Sequence, residues 1–424
     1  MRAAWEIDGR HLTLRYALHP EDPVEGPRWC SPGEPDWSGG SERLLVTQVS
    51  VVLPREVATP HGDLLALAAY SVVAPWTARR LELDRPVSAR AAEGFATAVG
   101  VEVTPVDPDL APRESPRRAL LAYSSGIDSV AAAELLADDV VLVHSERRKH
   151  PWVPRVDDIY QTAAILPLVA EAGRRGWRTE VVATDVDYVC DLRPHQPTSF
   201  ADGIGAILLA DELGGGGVAW GNVLEAIYLG RGHGWTGGMR EPTLPALFAA
   251  VGLDYLQPTG AITETGTTRL ALGSSLADLA RSCAVGEGGT PCHWCMKCVR
   301  KALVTAAVTG DPLDPRVVRN ITPDHPVMTR VFDKDVFHYG NTVWHALARV
   351  DVAGTPLQAV KERIAPTREE TRWNERWFPQ GLDDLVTERW RGAVEARLRR
   401  SGIDRMDARD EAILRRWPER VAAV

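Results

Sequence analysis

Lysine is almost absent from this 424-residue chain: Lys149, Lys297, Lys301, Lys334 and Lys361 are all it has. Any lysine chemistry must therefore draw on one of those five side chains. Basic charge is short overall, with 48 Lys and Arg against 57 Asp and Glu and a net charge of −9. That balance argues against wholesale nucleic-acid binding. Long apolar runs are missing too: the longest, Leu64 to Trp76, falls well short of the ~20 residues of a membrane span. The N-terminus shows no charged-then-apolar leader, so a cytoplasmic protein is expected. Cysteine is scarce at six, yet four crowd between positions 283 and 298 while Cys30 and Cys190 stand alone. Crowding of that kind points away from a disulfide framework and toward a metal in a reducing compartment.

The length suits two or three domains with proper cores. Residues 1–106 read as an N-terminal α+β domain. A hairpin over Glu6–Leu14 is centred on Asp8-Gly9, and a β-rich stretch covers Arg43–Leu53. Helices are expected at Asp63–Ala74 and Ala89–Val99, with strands at Arg80–Asp84 and Val101–Val106. No catalytic constellation occurs there, which suits recognition or packing. Residues 107–117 form a proline-rich linker. From Arg118 apolar runs alternate with helical segments, the pattern of a parallel sheet with crossover helices. Strands fall at Ala119–Ala122, Val140–Val143, Trp177–Ala183 and Val218–Asn222, and Gly214–Gly217 is expected to end a helix. Residues 305–424 form a helical, tryptophan-rich domain. In it Leu385, Val386, Trp390, Val394 and Leu398 share one face, and Asp407 and Asp410 are spaced like a cap and its partner.

Within the α/β stretch, Ala122-Tyr-Ser-Ser-Gly-Ile-Asp-Ser129 joins a buried strand to an alanine-rich helix. Strand, small-residue turn and helix is the order in which backbone N–H groups and a helix N-terminus hold a phosphate. Ser124, Ser125, Gly126 and Ser129 keep the loop narrow and rich in donors. Asp128 beside phosphates makes sense with Mg²⁺ between them. The loop lacks the lysine of the Gly-Lys-Ser/Thr phosphate loop. In an open α/β sheet ligands bind beyond the C-terminal strand ends. That rule brings His144, Arg147, Arg148 and Lys149 to the same crevice, where they can steer phosphates or an anionic substrate. It also brings Asn222 and Glu225, placed to read a substrate's polar edge. The glycine-rich stretch Gly230–Gly238 reads as a lid carrying His233 and Trp235 toward a planar substrate.

A second signal is Cys283, eight residues, then Cys292, Cys295 and Cys298 at two-residue spacings. Four soft ligands in a compact loop suit a closed structural Zn²⁺ site, and an iron–sulfur cluster has overlapping demands.

The loop resembles the Ser-Gly-Gly-x-Asp-Ser loop of the PP-loop ATP pyrophosphatases, matching at Ser124, Gly126, Ile127 as the free position, Asp128 and Ser129. Ser125 stands where that family has its first glycine, which a serine tolerates at negative φ. Loop and cysteines together, over about Arg118 to Val304, resemble 7-cyano-7-deazaguanine synthase, with Arg300 as the arginine near the last cysteine. The resemblance implies a Rossmann-like parallel sheet of the adenine nucleotide hydrolase type over residues 118–304. It also implies ATP and Mg²⁺ at the loop, with Ser124 and Asp128 in catalysis, and Zn²⁺ on the cysteines. A Thr-Lys pair of that family is represented by Thr268-Arg269, so Arg269 is expected at the α-phosphate. The synthase's aromatic and acidic substrate loop has no counterpart in Asn222–Arg240, and the chain exceeds the compact synthase at both ends.

The expected reaction is therefore ATP-dependent adenylation of a carboxylic acid, with transfer to a nitrogen nucleophile to give an amide or nitrile. The resemblance to longer proteins of this kind implies a place in antiphage defence or specialised metabolism. The acid and an amine acceptor (small molecule, peptide or protein) are the expected partners, and membranes and nucleic acids are not. The end domains suit a homodimer contact or a partner protein. A PP-loop sulfurtransferase and a non-catalytic nucleotide-binding subunit are the alternatives.

Overall fold

The computed structural model describes residues 1–27, 41–150, 162–190, 196–229, 241–283, 286, 290–330 and 339–422. Twelve strands occur in these residues: β1 (Arg2–Asp8), β2 (His11–Ala17), β3 (Glu25–Pro27), β4 (Ser41–Arg43), β5 (Gln48–Val52), β6 (Arg80–Ser88), β7 (Glu102–Asp107), β8 (Arg118–Ala122), β9 (Val140–Arg147), β10 (Arg178–Thr184), β11 (Gly215–Ala219) and β12 (Asp254–Leu256). Ten of them make one sheet in the order β12-β11-β8-β9-β10-β5-β2-β1-β6-β7, and β3 pairs with β4 apart from it. The strands from β8 to β12 are parallel neighbours. Read from β10 to β12, their chain order is 3-2-1-4-5, so the direction of winding reverses beside β8.

The first hundred residues extend this sheet. β5 pairs antiparallel with β10 through Val52–Ala183 and Val51–Thr184, and β2 and β1 continue from β5. One apolar core runs under both halves, holding Trp5, Leu14 and Val49 together with Val182, Ile204 and Phe248. The expected boundary at 106/107 is therefore crossed by both sheet and core.

Three local expectations need correction. The hairpin turns on Gly9-Arg10, one residue later than expected, because Asp8 pairs with His11 and Gly9 supplies φ +59° at the first turn position. Gly215–Gly217 belong to β11, and only Gly214, at φ +63°, caps the preceding helix. A Cβ on Gly216 would lie 1.5 Å from the Pro116 carbonyl oxygen, so the glycine run serves close packing. The proline-rich linker is also pinned. Arg113 is buried, donating to Asp211 Oδ1 at 2.6 Å and to the carbonyls of Gly252 and Gly215 at 2.6 and 2.5 Å.

Helices cover the sheet. Ile127–Leu135 follows β8 and packs with the C-terminal helix Glu388–Arg400, whose Trp390, Val394 and Leu398 face the sheet core. A third core gathers Val299 and Leu303 with Trp344, Trp373 and Trp417, and reaches Leu224 and Tyr228 beyond β11. Asp410 N–H donates to Asp407 Oδ1 at 2.9 Å and Asp407 N–H to Asp410 Oδ2 at 3.2 Å, the reciprocal cap expected from their spacing. Among the described residues no helix is long and apolar enough to cross a membrane.

Arg113→Ala should lower stability by roughly 3 kcal/mol, since two buried carbonyls lose their donor and Asp211 its cation. A shift in urea midpoint at unchanged slope checks it.

Candidate functional site

The chain leaves β8 at Ala122 and enters the helix Ile127–Leu135 through Gly126, its N-cap. This is where the sheet order reverses, so the turn faces a crevice between diverging connections. Ser125 adopts φ +57°, overturning the expectation of a negative angle. A left-handed serine is unfavourable by itself and needs local compensation. Its hydroxyl donates to the Leu279 carbonyl at 3.0 Å, and its carbonyl accepts from Arg281 N–H at 2.7 Å. Ser124 donates to Ser129 Oγ at 3.3 Å, and Ser129 in turn to the Gly126 carbonyl at 3.0 Å. The N–H groups of Asp128 and Ser129 have no acceptor among the described residues. Gly221 packs on this turn so closely that a Cβ there would meet Asp128 O at 2.8 Å and Ser129 N at 2.9 Å.

Asp128 lies at the head of a buried ion network. Its Oδ1 accepts from Thr267 Oγ1 at 2.6 Å and lies 3.3 Å from Lys301 Nζ. Lys301 also pairs with Glu264 Oε1 at 2.6 Å, and Arg300 Nε pairs with Glu264 Oε2 at 2.7 Å. Burial pushes the Glu264 carboxyl up, but Arg300 and Lys301 outweigh it and hold it at about 2. Burial likewise opposes the Lys301 ammonium, and Asp128 and Glu264 outweigh that and hold it above its ordinary value. The Arg300 guanidinium stacks 4.0 Å from the centre of the Tyr339 ring. Behind it, Glu225 accepts from Asn341 Nδ2 at 2.8 Å and from Glu264 N–H at 3.1 Å. Burial, then repulsion from Glu264, raises the Glu225 carboxyl to about 8.

The four cysteines converge. Cys283, Cys292, Cys295 and Cys298 present sulfurs within 4.8 Å of one another. Cys292 and Cys298 Sγ are 3.8 Å apart, matching the edge of about 3.8 Å that a tetrahedron with ~2.3 Å metal–sulfur bonds requires. Backbone N–H groups of Gly286, Cys292, Cys295 and Cys298 turn toward the sulfurs, as thiolate charge demands. The donor set fits a closed four-thiolate metal site. Cys295 is also the N-cap of the helix Met296–Thr309, which carries Lys297, Arg300 and Lys301.

The remaining expected residues divide. His144 is buried with Nδ1 2.9 Å from the Tyr123 carbonyl, and burial holds its ring below the ordinary value. Nδ1 therefore carries the proton, leaving Nε2 a buried acceptor with no partner among the described residues, in a cleft lined by Tyr123, Ser124, Ser145, Ile165 and Asp202. Asn222 stands partly exposed at the end of β11. Glu225 does not reach the crevice, because the Glu264 N–H and Asn341 enclose it. Arg269 points away from the loop: its Nη1 donates to the Gly402 carbonyl at 2.9 Å. Two residues along one helix turn a side chain to nearly the opposite face, so Thr267 meets Asp128 and Arg269 cannot. Arg147 pairs with Asp187 and Arg148 with Glu146. His233 and Trp235 lie outside the described residues. Sequence reading missed Thr267, Glu264 and Lys301. The available signal was the lysine count, with two of five lysines at i, i+4 directly within and after the cysteine run.

A model described as a family of unknown function, DUF6395, matches residues 243–418. That stretch carries the cysteines, Glu264, Lys301 and the C-terminal helices, and begins well after the Ser124 loop. No curated protein and no solved structure matches the chain.

Two outcomes follow from this geometry. Between pH 4.5 and about 8 the folded protein keeps a proton on Glu225 that the unfolded chain releases. This group's contribution to stability therefore falls as pH rises through that window and is level above it. Glu225→Gln should flatten the decline by on the order of 1 kcal/mol per pH unit, read from urea midpoints across the window. Purified protein should carry one tightly held metal ion per chain. Stripping it should lower the melting temperature and expose the helix Met296–Thr309 to hydrogen exchange, because its cap is a metal-site residue.

Proposed function

We propose that this chain is an ATP-dependent adenylating ligase, a PP-loop enzyme of Rossmann-like fold resembling 7-cyano-7-deazaguanine synthase. The observation that carries the reading is the Ser124–Ser129 turn at the reversal of a 3-2-1-4-5 parallel sheet, with Asp128 held by Thr267 and Lys301. The unpaired N–H groups of Asp128 and Ser129 suit pyrophosphate oxygens. The acceptor nitrogen of His144 suits an exocyclic amino group of a planar base in the adjoining cleft.

Asp128 is the residue that would hold Mg²⁺. Its Oδ1 is engaged by Thr267 and Lys301, and Oδ2 has no hydrogen-bond partner among the described residues. Bound there, the metal supplies neutralisation of the polyphosphate. In the reaction the carboxylate oxygen of the acid attacks the α-phosphorus, and the bond to the β-phosphate oxygen breaks, releasing pyrophosphate. A nitrogen nucleophile then displaces AMP from the acyl carbon and gives up a proton. Charge growing on the α-phosphate needs a preorganised cation. Lys301, carried on the helix after the cysteines, stands beside Asp128 where Arg269 does not, and holds that carboxylate in place. Zinc is the natural occupant of four thiolates in tetrahedral reach, with no position open for chemistry.

A sulfurtransferase needs free, redox-active cysteines, whereas these four share one compact site. The acid is expected to differ from 7-carboxy-7-deazaguanine and the acceptor to be larger than ammonia, because the synthase's substrate loop is not present. Incubating the protein with ATP, Mg²⁺ and candidate acids should yield AMP and pyrophosphate. Asp128→Asn should reduce that turnover at least about a hundredfold while the fold persists. ADP and phosphate as the products would overturn the assignment.

A further inference from the structure

Lys297 is the one lysine near the loop that the fold leaves without work. Among the described residues it makes no hydrogen bond and no ion pair, and its side chain is accessible. It precedes Lys301 by one helical turn on the same face of Met296–Thr309. Lys301 is committed to Asp128 and Glu264, and Arg300 to Glu264 and the Tyr339 ring. The charged groups facing Lys297 are Lys301, Asp128, Arg300 and Glu264, two cations and two carboxylates that already pair with each other. A cation in the first turn of a helix is opposed by the helix dipole. Here two further cations oppose it, and the two carboxylates that favour it are already paired with those cations. What would offset that repulsion is an anion at the neighbouring turn, where the N–H groups of Asp128 and Ser129 also await one.

We propose that Lys297 binds the polyphosphate tail of the nucleotide over the Ser124–Ser129 turn, while Lys301 stays with Asp128 and Glu264. This rests on the nucleotide reading above. A flexible ammonium suits a phosphate whose charge shifts between atoms, and the neighbouring cations Arg300 and Lys301 are already paired.

The test is calorimetric titration of the metal-loaded full-length protein with ATP, AMP and sodium pyrophosphate in turn. In Lys297→Gln, affinity for ATP and pyrophosphate should fall about tenfold or more, with AMP binding within about twofold of the parent. Lys297→Arg should recover most of the loss, and the melting temperature of both variants should stay at the parent's. Lys301→Met should instead lower the melting temperature, since it strips a cation from buried Glu264. Equal ATP and pyrophosphate affinity in Lys297→Gln and the parent would overturn the role of Lys297 and leave the nucleotide reading standing. A parent protein that binds none of the three would overturn that reading and this inference together.

Discussion

Glu264 is a carboxylate with 1 % of its surface exposed, and the arrangement of the site follows from what keeps it charged. Removing a carboxylate from water costs several kcal/mol even after the protein relaxes. Arg300 and Lys301 offset that cost from one helix, and Tyr339 covers the guanidinium from the C-terminal region. The second contact of Lys301 then fixes Asp128, so the Ser124–Ser129 turn is positioned by a residue 173 places away. A carboxylate pair cannot both ionise easily in such surroundings. Glu264 takes the cations, and Glu225 behind it is left to hold its proton.

The cysteine loop acts through the same helix. Cys295 caps Met296–Thr309, and the residues just before Cys283 bond directly to the turn: Leu279 accepts from Ser125, and Arg281 N–H donates to it. A metal on the four sulfurs would therefore brace the turn from one side and present Lys297 and Lys301 from the other. This also accounts for a serine where a glycine is expected. Glycine reaches φ above zero without strain, whereas Ser125 reaches it through a buried hydroxyl bond to a segment that the cysteines anchor. The substitution exchanges backbone freedom for a tie between two motifs.

What the sequence made legible is local. The strand–turn–helix at Ala122–Leu135 and the spacing of the cysteines are written in neighbouring residues, as are the β-rich stretch before Leu53 and the Asp407–Asp410 cap. What it hid depends on contacts far along the chain. The joining of β5 to β10 brings together residues about 130 positions apart, and no periodicity announces it. Arg113 looked like a linker charge because Asp211, Gly215 and Gly252 arrive from separate loops. That Lys301 and not Arg269 stands beside Asp128 turns on which face of each helix meets the turn, and the motif comparison says nothing of that. Glycines misled for a related reason: Gly215–Gly217 read as slack, while the constraint on them is the Pro116 backbone and the Leu120 and Leu256 side chains.

The matched stretch 243–418 and the segment before it divide the site between them. The earlier segment supplies Ser124–Ser129, His144, Gly221 and Asn222, which are backbone donors, an acceptor nitrogen and space. The matched stretch supplies Thr267, Glu264, Arg300, Lys301 and the cysteines, which are the charge and its bracing. Asp128 by itself would turn a second negative charge toward any phosphate. Lys301 by itself, with Glu264 and without Asp128, would be a neutralised buried pair with nothing to act on. Only where the helices Ile127–Leu135, Glu264–Leu272 and Met296–Thr309 meet at the end of β8 do donors, carboxylate and cation share one crevice. The residues of the matched stretch thus hold only part of the proposed centre, and the rest of it comes from the sheet that precedes them.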